Sequence, residues 1–518
     1  MSATTPTPPV LDAHRTRPVL AVVALSLMAV VSAVSGLNIA LPSLARDIGA
    51  SQTELTWIVD AYTVVFAGLL LFAGALGDRF GRKRLLLGGL LIFGTAAALG
   101  MFSKDATQLI IVRTLMGLGA AGIMPTTLSV ITTSFPEKER PRAIGVWVGM
   151  AGGGAVIGLF GSGLLLQYFA WQSFFGLNVT LATLGFLGVL AVVPESVDPD
   201  RPRLDLVGAA LSLIAVASTV FGIIEGPERG WGDGVTLAAI GAGLVAAIAF
   251  IWWELRTADP MLDPRLFRLR GFSAGTLTIT VQFFAAFGFF FVAIQYLQFV
   301  TGRSALDAAI ALLPLPFVLL PVARNAPHLA QRVGFRYLGP IGLVSMAIGF
   351  GILSTLKVDS AYLVFAVGLV FFAFGMGMAG TPATTAITAS LPMAKQGVAS
   401  AVNDTARELG SALGIAILGS VLNQSYRDAL ASAVQGLPPQ VADHVLSSIA
   451  FTASPLIAQL GEAGRQLVDA ARAAFVGGVG DAVFVASGVM AVSAVAIFLL
   501  APSPKAEPAT AAEVHAPA

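Results

Sequence analysis

Stretches of about twenty apolar residues recur along all 518 positions of this chain, and a segment of that length is what a helix needs to cross a hydrocarbon core about 30 Å thick. With 56% hydrophobic and only 11% charged residues, there is too little polar side chain to cover a water-soluble globule of this size. The chain therefore reads as an all-α polytopic membrane protein. Fourteen spans are expected, at about 18–40, 53–76, 84–102, 107–130, 142–166, 170–193, 204–224, 235–254, 272–299, 305–330, 337–356, 361–388, 398–422 and 478–500. The even count puts both termini on one side. The run GALGDRFGRKRLLLGG, residues 74–89, holds Arg79, Arg82, Lys83 and Arg84 between two spans, and so many cations pin a short turn to the cytoplasmic face. In that orientation the cytoplasmic segments carry 19 Lys/Arg and the external ones 8. A multi-pass protein of the cytoplasmic membrane follows.

Several function classes are excluded or disfavoured. A net charge of +1, with the cations scattered over loops, gives no footprint for nucleic acid. Cysteine is absent, and His14, His328, His444 and His515 are too dispersed for a zinc motif, so no metal site is expected. The basic N-terminus is followed by an apolar run as long as a span, which reads as the first span and not as a removed signal peptide. No Walker motif occurs, so no nucleotide cofactor is expected and energy would come from an ion gradient. GMGMAG, residues 375–380, formally matches a dinucleotide fingerprint but lies inside a span with no preceding strand, where small residues serve helix packing.

The organisation expected is a cytoplasmic tail at 1–17, a six-helix bundle at 18–193, an inserted helix pair at 204–254, a second six-helix bundle at 272–500 and a cytoplasmic tail at 501–518. The second bundle carries an extracytoplasmic loop at 423–477 with amphipathic helices. LAQRVGFR, residues 329–336, echoes LGDRFGRKR with Gln331 in the place of Asp78, which suggests two related halves.

GDRFGRKR between spans two and three, RTLMGLGAAGIMPTTLSVI at 113–131, WIVDAYTV at 57–64, YLQFVTGRSALDAAIALLPLP at 296–316 and NDTARELGSALGIAILGS at 403–420 together resemble the major facilitator superfamily. The branch they resemble is the fourteen-span drug/proton antiporters, the EmrB/QacA-like multidrug exporters. The resemblance implies the major facilitator fold, two six-helix bundles plus two inserted helices, and a transporter rather than an enzyme. Its implied partners are amphipathic small molecules, protons and the lipid bilayer, with a monomer as the working unit. Two departures stand out. Ala33 occupies the place of a first-span acid, five positions before Asn38. In the fifth-span motif GGGAVIGLFGSG, Leu159 replaces a proline and Ser162 a glycine.

Ionisable side chains inside spans are the primary candidates for chemistry, because each costs about 2.5–3.5 kcal/mol near a helix centre unless it faces the bundle interior or water. Asp60 lies about seven residues into its span, roughly 10 Å deep at 1.5 Å per residue. An acid there can load a proton on one side and release it on the other. Arg113 sits at similar depth in span four and is a candidate partner. Asp404 and Glu408 stand one helical turn apart on one face, with Arg407 placed to pair with Asp404 and poorly placed for Glu408. Arg324, in span ten, reads as a snorkelling cation near the cytoplasmic end.

Gly77, Asp78, Arg79, Gly81, Arg82 and Lys83 form the candidate gating loop, with Asp78 able to accept hydrogen bonds at a helix N-terminus. Phe283, Phe287, Phe291, Gln295 and Tyr296 are candidates for a pocket that holds flat cations through cation–π contacts. Rings cover every face of span nine, so some of them are expected to face lipid. Gly154, Gly158, Gly161 and Gly163 form a small-residue ladder for helix packing.

The function expected is proton-coupled export of amphipathic, cationic or lipophilic compounds. One alternative is a dedicated exporter of a single metabolite, lipid or peptide, with or without proton coupling. An alternative of another class is a membrane transferase using Asp198, Asp200 and Asp205 in PESVDPDRPRLD, residues 194–205, although a solvated linker also accounts for these acids.

Overall fold

Because a bilayer leaves no water for backbone groups, each span must satisfy its own hydrogen bonds, and the chain does so as helix throughout. The computed structural model describes residues 13–136, 139, 143, 146, 147, 150, 153–197, 204–391 and 396–502. Among these, thirteen helices are long and apolar enough to cross a membrane. They are α1 (Ala13–Ile48), α2 (Gln52–Phe80), α3 (Arg82–Gly100), α4 (Ala106–Ser134), α6 (Gln172–Val192), α7 (Leu206–Arg229), α8 (Gly234–Glu254), α9 (Arg270–Gln295), α10 (Ala305–Val333), α11 (Phe335–Leu353), α12 (Tyr362–Ala389), α13 (Gln396–Leu430) and α16 (Glu462–Leu500). A shorter apolar helix, α5 (Gly153–Tyr168), stands where the span at 142–166 is expected, and the first residues of that span fall largely outside the described ones. Thirteen of the fourteen expected spans are thus met by helices of spanning length, and the fifth by this shorter one.

Three boundaries differ from expectation. The last helix begins at Glu462, well before 478, because polar residues such as Arg465 and Asp469 extend it beyond its apolar stretch. Helix α10 is two pieces, Ala305–Ala311 and Pro314–Val333, since Pro314 supplies no N–H to continue the first. Between α13 and α16 the expected amphipathic loop folds as α14 (Pro439–Ser447), a 3-10 turn (Ile449–Ala453) and α15 (Pro455–Ala458). Tyr426 ties it down by donating from its hydroxyl to the carbonyl of Val445 at 2.8 Å.

The described chain forms two units, one of residues 1–43, 61–217 and 246–261 and a second of 44–60, 218–245 and 262–518. In the first, glycines set the helix spacing. A Cβ on Gly119 would lie 2.7 Å from the Gly89 carbonyl, so α3 and α4 meet backbone to backbone. The ladder of α5 packs on α1: a Cβ on Gly154 would come 3.0 Å from Met28, and one on Gly158 2.7 Å from the Ser32 carbonyl. Gly161 faces Leu177, Gly163 is buried, and residues Ile157–Gly161 are wound as a π-helix.

In the second unit α9 is the central helix, packed against α12, α13 and α16. None of these rings on α9 is exposed: Phe284, Phe289 and Phe291 are buried, and Phe283, Phe287 and Phe290 are half-buried. The three flanking helices cover most of the surface of α9. Phe289 sits among Phe350, Phe365 and Phe372, with centroids 5.3–6.3 Å away. The GMGMAG segment packs α12 on α11, where a Cβ on Gly342 would lie 2.7 Å from the Gly375 carbonyl.

The acids at Asp198 and Asp200 lie outside the described residues, but Asp205 is not a solvated linker residue. It is 8% exposed, accepts the Gly208 amide at 2.8 Å at the start of α7, and accepts the Trp253 indole at 2.9 Å from the end of α8. It closes the inserted helix pair on itself.

Candidate substrate and coupling site

Spacing of three and four residues puts Asp404, Arg407 and Glu408 on one face of α13. What that face meets is decided two turns later. A Cβ on Gly410 would collide with the carbonyl of Thr280, and one on Gly414 with the carbonyl of Phe284, so only glycine lets α13 lie this close to α9. The approach carries Arg407 over Phe283, with the guanidinium carbon 4.5 Å from the ring centroid. The same guanidinium stands 3.8 Å from the Asp404 carboxylate. Phe283 stacks on Phe287 with centroids 5.8 Å apart and planes at 22°. Glu408 has Arg407 and Asp404 as its charged neighbours. Two groups singled out separately in the sequence, the acidic face of α13 and the leading rings of α9, are therefore one cluster.

The other pocket candidates lie elsewhere. Phe291 and Gln295 are fully buried, and Tyr296 stacks on Phe365 at 6.2 Å. The Gln295 amide nitrogen donates to its own helix at the Phe291 carbonyl, 3.0 Å away, and its oxygen has no hydrogen-bond partner among the described residues. These three belong to the packed interior of the second unit.

Asp60 is the last residue of the 44–60 stretch of the second unit and is fully buried. Among the described residues neither of its carboxyl oxygens has a hydrogen-bond partner.

Arg113 belongs to the first unit and is also fully buried. Its Nη1 donates to the carbonyl of Ala33 at 3.3 Å, and its guanidinium lies 4.2 Å over the centroid of the Tyr62 ring. Gly117 makes this possible, because any side chain there would strike the Tyr62 carbonyl. At the position where the resemblance calls for an acid, the arginine is held by the backbone of the alanine that replaces it.

The α2–α3 turn is built around Gly81, whose φ of 117° is a conformation that side chains with a Cβ rarely adopt. Gly334, with φ of 88°, makes the corresponding turn between α10 and α11, so the sequence echo at 329–336 is also a structural one. Asp78 pairs with Arg82 across the turn at 2.6 Å. Asp78 thus meets α3 through the side chain of its first residue, and the backbone there is met by Glu195, just after α6. Its carboxylate accepts the Lys83 amide at 3.1 Å and stands 3.6 Å from Arg84, while the Ser196 carbonyl accepts the Arg82 amide at 2.9 Å. The Lys83 ammonium in turn caps α6 at the Leu190 carbonyl, 3.0 Å away. Gly77 and Arg79 flank the pair, with Arg79 over Phe80 at 5.7 Å. Glu195→Ala is expected to speed hydrogen exchange of the amides at 82–85 about fivefold, equivalent to about 1 kcal/mol, while Glu195→Gln keeps most of the protection. Unchanged exchange in the alanine variant would show that Glu195 does not hold the turn.

Sequence reasoning missed Glu195, although an acid directly after span six faces a turn with four cations. It also missed a polar network in the second unit that joins α2, α7 and α13. The Trp57 indole donates to Glu225 at 2.9 Å, Asn423 donates to Thr53 at 3.0 Å, and the Ser420 hydroxyl donates to the Ile223 carbonyl at 2.6 Å. Trp57 heads the second-span signature, and Glu225 ends an inserted helix. Only the fold brings them together.

Residues 23–415 match the sequence profile of the Major Facilitator Superfamily. The chain belongs to this superfamily. Membership makes it a multi-pass membrane transporter of small molecules and not an enzyme. Its relatives in the superfamily include the multidrug efflux pump LfrA of Mycolicibacterium smegmatis, 35% identical over 92% of this chain and 94% of LfrA. Multidrug resistance protein Stp of Mycobacterium tuberculosis is 32% identical over 88% of this chain and 86% of Stp. Among solved major facilitator structures, a bacterial homolog of the human lysosomal transporter Spinster superposes with a TM-score of 0.64 at 17% identity, covering 95% of this chain and 97% of that one. At that identity the likeness is one of fold.

Proposed function

We propose that this major facilitator transporter is a monomeric, proton-driven efflux pump for amphipathic cations and lipophilic compounds, with both termini in the cytoplasm. The observation that carries the reading is the cluster on α9 and α13, where a cation, two acids and stacked rings share one place. Arg407 already occupies the face of Phe283 that a flat cationic cargo would use. Cargo entering here displaces Arg407 from the ring and takes up the charge of Asp404 and Glu408. Protonation of those acids removes the attraction and releases the cargo, so proton and cargo exclude one another. Asp60 is the second proton-carrying group, and Arg113 on α4 is the fixed cation of the coupling set.

The names of the relatives support multidrug cargo, and the 19 to 8 excess of Lys/Arg on one set of loops supports the orientation. In the proposed cycle the loop at 77–83 holds one state through the Asp78–Arg82 pair and Glu195. The gradient suffices, since one charge crossing 100 mV gains about 2.3 kcal/mol, close to a fiftyfold concentration ratio. Inverted membrane vesicles energised with a proton gradient are expected to accumulate ethidium and to lose it when an uncoupler is added. Accumulation that survives the uncoupler would sink proton coupling, and the reading would pass to a facilitator or to a dedicated exporter driven otherwise.

A further inference from the structure

The Pro314–Val333 piece of α10 packs one face on α12, where a Cβ on Gly377 would come 2.9 Å from the Leu319 carbonyl and 3.1 Å from the Ala323 nitrogen. Its other face is open. Leu320, Pro321, Arg324, Asn325 and His328 are all exposed, and the first four line a cavity of about 510 Å³. Arg324 lies nine residues before the end of the helix at Val333, about 13 Å along its axis, within the expected span at 305–330. Among the described residues it has no ion pair and no hydrogen bond. Asn325 is oriented by its own helix, donating to the Pro321 carbonyl at 2.8 Å and keeping its second amide hydrogen for another acceptor.

An exposed arginine inside a span is satisfied by water or an anion, because hydrocarbon would not solvate it. A guanidinium offers donors and no acceptor, in a planar fork that fits a carboxylate. We propose that the Arg324–Asn325 cavity of α10 is a second cargo subsite, which binds the carboxylate of amphipathic acids and zwitterions. It is opposite in sign to the cluster at Asp404 and Glu408, and it gives the pump a class of cargo that the acidic cluster alone would reject. The proposal rests on the efflux reading above. The greasy wall of Leu320 and Pro321 holds the apolar body of such a cargo while Arg324 takes the charge.

The test uses two dyes with the same ring system, rhodamine 123, a cationic methyl ester, and rhodamine 110, its free carboxylate. In proteoliposomes of the full chain under an imposed pH gradient, the wild type is expected to move both. Arg324→Gln is expected to lower rhodamine 110 transport tenfold or more and to leave rhodamine 123 within twofold, with Arg324→Lys in between for the acid. Equal losses for both dyes, or no loss for either, would overturn the subsite, as would a wild type that carries only the ester. A wild type that carries neither dye would remove the efflux reading and the subsite with it. A second measurement needs no variant: benzoate is expected to displace rhodamine 110 but not rhodamine 123 from the purified wild type in fluorescence anisotropy. Displacement of both dyes, or of neither, would count against the cavity as a carboxylate site.

Discussion

Asp60→Asn is expected to leave a folded, membrane-inserted protein whose gradient-driven export falls by about a hundredfold or more. Asparagine keeps the shape of the side chain and removes its ability to carry a proton, and since neither carboxyl oxygen is hydrogen-bonded among the described residues, the exchange orphans no partner there. Stability should therefore change by less than about 1 kcal/mol. The loss is expected in uphill transport specifically, so exchange of labelled for unlabelled cargo across vesicles without a gradient should persist. Wild-type export from the asparagine variant, measured under an imposed pH gradient, would remove Asp60 from the coupling mechanism.

Gly414→Leu is expected to have the largest effect on the fold. A Cβ at this position collides with the carbonyl of Phe284, and no side-chain rotation relieves a clash with backbone. Helices α9 and α13 must separate, at a cost of about 3 kcal/mol or more, and the contact of Arg407 with Phe283 goes with them. The thermal midpoint in detergent should fall by several degrees and transport should be lost. Gly351 on α11, where a Cβ would meet nothing within 4 Å, is the control: Gly351→Ala should be neutral or stabilising by about 1 kcal/mol, since alanine is the better helix former. Equal melting temperatures for wild type and Gly414→Leu would refute the close approach.

The two variants separate kinds of information that the chain carries differently. The membrane class, the helix positions and the basic α2–α3 turn were legible residue by residue, because span length and loop charge are local quantities. Candidate acids were legible for the same reason, since a charge inside an apolar run is conspicuous. Their partners were not. Asp78 pairs with the Arg82 side chain at the start of α3, while the Lys83 amide goes to Glu195, more than a hundred residues away. Asp205 reads as linker until Trp253 closes over it. Nor was the setting of Phe289 among Phe350, Phe365 and Phe372 legible, because a helix that is apolar all round gives no sign of being the central one.

Local apolar length and charge, written along the chain, determined that this protein spans a membrane as helices, where those helices lie and which side chains are costly to bury. The tertiary structure alone decided which of those side chains meet. Arg407 faces Phe283 because glycines let α13 touch α9, Arg113 rests on the Ala33 carbonyl because Gly117 admits Tyr62, and Arg324 is left exposed because α10 packs by its other face. Each of these is a contact, or an open face, set by how closely backbones approach. In a membrane that approach is governed by the size of side chains on two separate helices at once, a joint property that no single stretch of residues displays.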